Sequence, residues 1–554
     1  VSAIPYIVSQ SARAYFRYIV NPITAAETTA GVAIVDYTKP AGDVRRYGAT
    51  GDGATDDLVA FQRALSSNQL VTVPPTAAGY RLSAGITVPV GTVLWSNCFL
   101  PGNPPKGTRL IFDLAVATCV TVGGAGSANG TAGLQGLTVT RAAGTIPAGS
   151  IGVLVQEVYN VNLRDVTSGR HDINWRFYSP DGVNGISANA ENLHAFAAQD
   201  MHWEFDGWPE FRCLGGRTGQ NNAGDIACNG YIRVKGGSGV GGSGPNTISF
   251  VDYQFNQGAV AAGVFFVYAH PANPGGNAVE YRFDSCHIEN VSTAGITSDA
   301  SSTLINRFQF IDCTFNAPGV PFLSLNAATQ VADWFIQDSQ IYCSTFTLAP
   351  TPQISNISIS NNKISGTGSI TGAANSLAYL SGNTWGNGLT LAGGAWADLV
   401  LDGDNFTGGN LTLTATGKRG INLPSLYFPW TPQLQFGGAN VGMTTSRATG
   451  VYRIVSNRVE AQYSIVLTAV GSSTGAASIA GLPTVSSAST FQANTATVPI
   501  LGNMTGLTGS TKSFVGQGAS VISLMQSTAT GEGNLTNAAF TATSTLSGEA
   551  NYLT

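Results

Sequence analysis

Between residues 247 and 406 one short phrase recurs: an apolar residue, two more residues, a small or polar residue, one residue, then another apolar residue. The copies are Phe250-Tyr253-Phe255, Phe283-Cys286-Ile288, Phe310-Cys313-Phe315, Ile336-Ser339-Ile341, Ile359-Asn362-Ile364, Leu380-Asn383-Trp385 and Leu401-Asp404-Phe406. Their first members lie 33, 27, 26, 23, 21 and 21 residues apart. A period in this range predicts a solenoid. The positions beside each inward residue are mostly polar, as in a short half-buried strand. One such rung cannot bury its apolar face alone, so the rungs must stack. The middle members then predict an inward ladder at a bend: Cys286 over Cys313, followed by Ser339, Asn362, Asn383 and Asp404. Small hydrogen-bonding residues stacked in a corner satisfy backbone groups where the chain turns. The predicted fold is all-β, a right-handed parallel β-helix.

Earlier in the chain, residues 43–57 read DVRRYGATGDGATDD. An amphipathic helix is predicted next, with Leu58, Phe61, Ala64 and Leu65 on one face. Asp56 is placed to cap it and Asp57 to meet its dipole. A strand at Val71–Val73 and Pro74-Pro75 follow. The 43–57 segment resembles the start of the pectate-lyase-like β-helix family, whose hallmark is D-V-x-x-Y-G-A-x-G-D-G-x-x-D-D before a short helix. The resemblance implies that the helix closes the open N-terminal end of the solenoid, which otherwise exposes sheet edges. A phosphate-binding loop does not fit, because the Gly-Lys-Ser/Thr ending and the G-x-G-x-x-G spacing are both missing.

Short strands separated by Gly-rich turns are predicted over 88–165 as early rungs. Residues 170–245 read as less regular, with 236–244 as a turn or long rung loop. At Pro424 the pattern changes. Residues 450–467 form a period-two hairpin with a Ser-Asn turn, and the Ser/Thr/Gly-rich remainder reads as a β-sandwich. The phrase FGGANVGMT at 436–444, followed by Gly450, Tyr452 and Val459, is similar to the C-terminal sandwich module of bacteriophage tailspikes. The predicted organisation is a neck at 1–42, a parallel β-helix at 43–423 that carries catalysis and receptor binding, and a C-terminal sandwich at 424–554 for trimerisation or carbohydrate binding.

Composition narrows the function. Only 10% of residues are charged, while 68 are Gly, as suits a β protein rich in tight turns. A formal net charge of −5 argues against nucleic acid as a partner, since phosphate binding wants a basic surface. No apolar run reaches the roughly 18 residues of a membrane span. The seven cysteines read as buried free thiols without zinc spacing, and neither a metal nor a cofactor is implied. The chain starts at Val1 and shows no signal peptide, which reads as a truncated or processed product.

Cap, solenoid and terminal module together resemble a phage tailspike depolymerase. That resemblance implies a homotrimer of the virion tail that cleaves a bacterial capsule, exopolysaccharide or O-antigen, attached to the tail or baseplate through a missing N-terminal region. Glycoside hydrolysis needs two carboxyls, one to protonate the leaving oxygen and one to activate water or attack carbon. The rung at 281–290 is the densest in titratable groups, with Arg282, Asp284, His287 and Glu289 predicted to point outward. Adjoining rungs offer Asp252, Gln254 and Asn256 before it, and Gln309, Asp312 and Asn316 after it. Glu289 is the predicted acid, with Asp284 or Asp252 as base or nucleophile; crowding of carboxyls would raise the acid. A second candidate is 202–210, where His202, Trp203, Glu204, Asp206, Trp208 and Glu210 combine sugar-stacking rings with carboxyls. Alternation puts Trp203 and Phe205 on one face and His202, Glu204 and Asp206 on the other. A third cluster, Arg170-His171-Asp172 with Trp175 and Arg176, suits acidic sugars or a turn with ion pairs.

Three other functions compete with the hydrolase. A polysaccharide lyase on this fold would use Arg282 and His287 to neutralise a uronate and take its proton. A non-catalytic adhesin would only bind. A deacetylating esterase would want a Ser-His-Asp set, and no nucleophile-elbow phrase is present.

Overall fold

The computed structural model describes residues 21–97, 108–126, 130–179, 186–207, 209–219, 227–235, 247–256, 262–269, 280–299, 304–326, 329–348, 354–414, 416–455, 458–483, 486, 497–529 and 531–553. The Gly-rich stretch 236–244, Trp208 and Cys98 lie outside them. Two compact units emerge: Val1–Ser358 with Asn362–Thr367, and Ile359–Asn361 with Gly368–Thr554.

The first unit is a parallel β-helix. One outer sheet ladders Thr131–Gln135, Asn160–Arg164, Ile186–Phe196, Pro209–Thr218, Thr247–Val251, Glu280–Asp284 and Phe308–Ile311, every pair parallel. A second, nine-stranded sheet runs from Ile86–Val88 to Leu323–Ser324. Its inner column is Trp175, Trp203, Ile232, Phe266, Ile296 and Leu323 in register. Like residues stack within the core: Trp175 on Trp203 at 5.4 Å and Phe250 on Phe283 at 6.0 Å. Within 170–245, predicted to be less regular, the strands Ile173–Tyr178, Ile186–Phe196, Met201–Asp206, Pro209–Thr218 and Gly230–Lys235 stack as regular rungs. Charged and aromatic side chains alternate there on one strand, which hides the period.

The corner ladder forms as predicted. Each turn's backbone N–H is capped by the side chain one rung on: Cys286 N to Cys313 Sγ at 3.4 Å, Cys313 N to Ser339 Oγ at 3.0 Å, and Ser339 N to Asn362 Oδ1 at 2.9 Å. In the second unit Asn383 Nδ2 donates to the Ile359 carbonyl at 2.8 Å and to Asp404 Oδ1 at 2.8 Å. The residue just before each ladder member is left-handed: Asp252 (φ 53°), Ser285 (54°), Asp312 (50°) and Asp338 (52°), and in the second unit Asn361 (55°), Gly382 (65°) and Gly403 (69°). Asp, Asn and Gly tolerate that conformation best. Among the described residues six cysteines are buried and outside any disulfide.

At the N-terminal end, the helix Leu58–Ser67 buries Ala60, Phe61, Ala64 and Leu65, with Phe61 edge-on to Tyr80 at 5.4 Å. Asp56 accepts from Leu58 N at 3.2 Å. Asp57 does something other than meet the dipole: its carboxylate accepts from Thr50 N at 2.7 Å and Gly51 N at 3.1 Å, clamping the Gly-rich loop. Within the predicted neck, a short helix Ala25–Ala30 carries a Thr24/Glu27 capping box. Glu27, wholly buried, pairs with buried Arg46 at 2.6 Å and accepts from the Tyr47 hydroxyl at 2.7 Å. Burial opposes its charge, yet Arg46, Thr24 and Tyr47 outweigh that and hold its carboxyl down at about 2.

In the second unit, parallel pairing of Ala395–Asp402 with Thr416–Trp430 runs to Asn422. From Leu423 the same strand pairs antiparallel with Thr444–Val455. Two antiparallel sheets follow. One holds Thr444–Val455, Arg458–Ala469, Thr545–Leu553 and Ile500–Gly502. The other holds Gln433–Phe436, Ala477–Ala480, Ile522–Thr528 and Thr511–Val515. Alternate residues such as Val459, Ala461, Tyr463, Ile465 and Leu467 are buried, the pattern of a strand with one dry face.

Candidate glycan-binding face and acid clusters

The outer sheet of the first unit presents two outward columns. One reads Gly133, Asn162, Asn189, Arg212, Ser249, Arg282, Gln309. Two residues along each strand lies the second: Gln135, Arg164, Glu191, Leu214, Val251, Asp284, Ile311. Their early part forms a groove of about 610 Å³ lined by Gln135, Asn162, Arg164, Asn189, Glu191 and Arg212, with Leu214 at its edge. Sequence reasoning missed this groove. Its residues come from rungs separated by loops of unequal length, so no fixed spacing marks them.

The rung predicted as the active site continues the same columns. Arg282 and Asp284 pair at 2.6 Å, with side chains 41% and 23% exposed. Past the bend, His287 Nε2 contacts Glu289 Oε1, these side chains being 40% and 28% exposed. Glu289 Oε2 accepts from Asn256 Nδ2 at 2.7 Å, and Asn290 holds Asn256 in turn at 2.9 Å. His287 shares its column with Gln254 and Thr314, and Glu289 pairs with Asn316. The structure therefore brings together Glu289, Asp284, Arg282, His287, Asn256, Gln254, Gln309 and Asn316 on adjoining rungs. Asp252 is exposed on the preceding rung. It sits in the left-handed turn at φ 53°, a position filled by Ser, Asp, Asn or Gly on other rungs, so the turn accounts for its identity without chemistry.

The second candidate is corrected. Trp203 is fully buried, stacked on Trp175 and edge-on to Phe250 at 5.3 Å, so neither ring face is open to a sugar. His202 is fully buried as well, taking a contact from Asn174 Nδ2 at 3.2 Å. Glu204 and Asp206 point to the other face, yet their side chains are only 0% and 8% exposed. Register explains this. Glu204 lies between Arg176 and Arg233, and Asp206 between Tyr178 and Lys235. Glu204 meets Arg176 at 3.1 Å, Arg233 at 2.5 Å and Lys235 at 2.9 Å. Arg176 also holds Asp206 at 3.0 Å, and Arg233 holds Asp200 at 2.5 Å. Burial opposes the charge on Glu204, but Arg233 and Lys235 win and lower its carboxyl. Burial dominates at Asp206 and raises it despite Arg176. Three acids and three cations thus form a closed cage.

The third cluster is structural. His171 is fully buried and held at about 3 by burial and the neighbouring Arg141, whose Nε donates to its Nδ1 at 2.9 Å. Trp175 is core, and Asp172 accepts from Gly149 N at 2.6 Å.

No family model matches the chain. A stretch of 64 residues, 11% of this chain, is 42% identical to the preneck appendage protein of Bacillus phage PZA and to the pre-neck appendage protein of Bacillus phage phi29. That match spans only 7% of the length of either relative. Among solved structures, the Dettilon tailspike protein is similar over 92% of this chain and 94% of its own, at 14% identity and a TM-score of 0.49. Tailspike protein 3 of bacteriophage CBA120 is similar over 69% of this chain and 59% of its own, at 11% identity and a TM-score of 0.37. The proteins that this chain resembles include tail appendages and tailspikes of bacteriophages and a surface adhesin of Streptococcus pneumoniae.

Proposed function

We propose that this chain is the glycan-recognising part of a bacteriophage tailspike: an endo-glycosidase that hydrolyses a bacterial capsule, exopolysaccharide or O-antigen as a homotrimer on the virion tail. One observation carries the reading. A single rung offers two solvent-accessible carboxyls, Asp284 and Glu289, on either side of a bend, and Asp284 continues a column that lines a polar groove on the same sheet. The match to phage appendage proteins supports the setting.

In this mechanism Glu289 gives its proton to the glycosidic oxygen as the bond to the anomeric carbon breaks. Asp284 takes a proton from water as the hydroxide adds to that carbon, or attacks it directly. His287, in contact with Glu289, returns a proton to the acid for the next cycle. Asn256 fixes the Glu289 carboxyl, and Gln254, Gln309 and Asn316 are placed to bind hydroxyls. The second reading, elimination, would need Arg282 and His287 free to meet a uronate. Both contact carboxylates here.

Incubation with a panel of purified capsular and O-antigen polysaccharides tests this, with reducing ends and ultraviolet absorbance followed together. Reducing ends without absorbance are expected. Absorbance alongside them would establish a lyase, and binding without either signal an adhesin.

A further inference from the structure

We infer that the groove selects an acidic polysaccharide, and that Arg212 is the residue that meets the sugar carboxylate. This rests on the proposed function only in taking the ligand to be a glycan.

Most of the cations along the outward columns already have a carboxylate. Arg164 is neutralised by Glu191 at 3.3 Å, and Arg282 by Asp284 at 2.6 Å. Arg212 stands between them in the ladder, preceded by Asn189 and followed by Ser249. It is exposed, and among the described residues no carboxylate pairs with it and no side chain accepts its guanidinium hydrogens. In a chain with formal net charge −5, an unpaired guanidinium facing a groove is a specific attractor rather than part of a general basic surface.

The surroundings suit a sugar. Asn162 and Asn189 are exposed amides on the same column, able to donate to and accept from hydroxyls. Leu214, 44% exposed at the groove edge, offers an apolar surface to a ring face. Across the bend, Arg217 is a second guanidinium with no carboxylate partner among the described residues, in register with His194 and Gln254. A guanidinium binds a carboxylate through two parallel hydrogen bonds, which fixes orientation as well as charge. The ligand class is therefore a polymer with a uronate or another carboxyl-bearing sugar in each repeat.

The test uses the full chain and immobilised polymers: polysialic acid, polygalacturonate, alginate, acidic bacterial capsules and the neutral polymers dextran and pullulan. Each acidic polymer is also used after reduction of its carboxyls to alcohols. The expected result is retention of at least one acidic polymer, at least tenfold weaker binding after carboxyl reduction, and a similar loss in Arg212→Gln with an unchanged circular dichroism spectrum. Arg212→Lys should restore part of the affinity, as a point charge without the fork. Equal retention of neutral or reduced polymers, or unchanged binding by Arg212→Gln, would overturn the assignment, and so would dependence on phosphate groups instead of carboxyls. A polymer that binds through Arg212 yet releases no reducing ends sinks the hydrolase and leaves this inference standing. Retention of no polymer overturns both.

Discussion

Two strand segments of the first unit look alike in sequence and differ in three dimensions. The segment 202–206 and the rung 280–289 each interleave acids with aromatics on a period of two. At 202–206 the acids are enclosed: Glu204 meets three cations and no solvent. At 280–289 Asp284 meets Arg282 and Glu289 meets His287, and these two acids keep about a quarter of their side chains in water. The first arrangement neutralises charge so that a polar column can be buried. The second leaves carboxyls able to touch a polymer. The density of acids therefore carries less information about chemistry than the number of cations that register brings to each one.

This contrast can be broken most directly by isosteric substitutions. Glu289→Gln and Asp284→Asn should each lower reducing-end release by about 10²–10⁴-fold, the range for loss of a general acid or base, with the melting temperature nearly unchanged. Glu204→Gln should do the reverse. Removing one member of a buried charged network costs about 3–5 kcal/mol, read as a lower midpoint in denaturant, with turnover per folded molecule retained. If Glu204→Gln abolishes turnover in folded protein, the cage is the active site and the comparison is inverted.

Two buried carboxyls outside these segments sharpen the rule. Glu27 has a cation and Asp404 does not. Arg46→Met should destabilise by about 3–5 kcal/mol, because Glu27 is left charged and buried. Glu27 is held near 2, below its ordinary value, so its stabilising effect is present above pH 4.5 and is lost as pH falls toward 2. Asp404 accepts from Asn383 and from Trp385 Nε1 at 2.9 Å, and burial lifts it from 3.8 to about 6. Its sign is opposite. The protonated form suits the fold, so that contribution is complete below pH 4 and is lost as pH rises through 6. Asp404→Asn, which continues the asparagine ladder, should stabilise the protein by up to about 3 kcal/mol at pH 8, since each tenfold change in proton affinity is worth about 1.4 kcal/mol. At pH 4 the gain should vanish. Urea titrations at both values would show it.

Much of this architecture is written in the order of residues. Phe250, Phe283 and Phe310 recur with Tyr253, Cys286 and Cys313 because each rung repeats one local problem: bury an apolar strand, then satisfy a turn. The helix after residues 43–57 is legible for the same reason, since its apolar face lies within one short segment, whereas the Asp57 clamp on Thr50 and Gly51 is not. Glu27 was not legible, because its partner Arg46 lies 19 residues on and nothing local marks the pair. The groove was hidden by loop length, since Asn162, Asn189 and Arg212 meet only once the rungs are aligned. Asp252 has two readings, because outwardness alone does not separate a turn residue from a catalytic one.

The sequence by itself determined the repeating rung, the corner ladder and the capped end, because these depend on contacts a few residues long or on a period that survives variable loops. The tertiary structure alone decided which acids are caged, which stay in water, and which arginines of the outer sheet lack a carboxylate. Those outcomes depend on what register places on the strands above and below, and pairing between strands some 30 residues apart leaves no trace in local alternation.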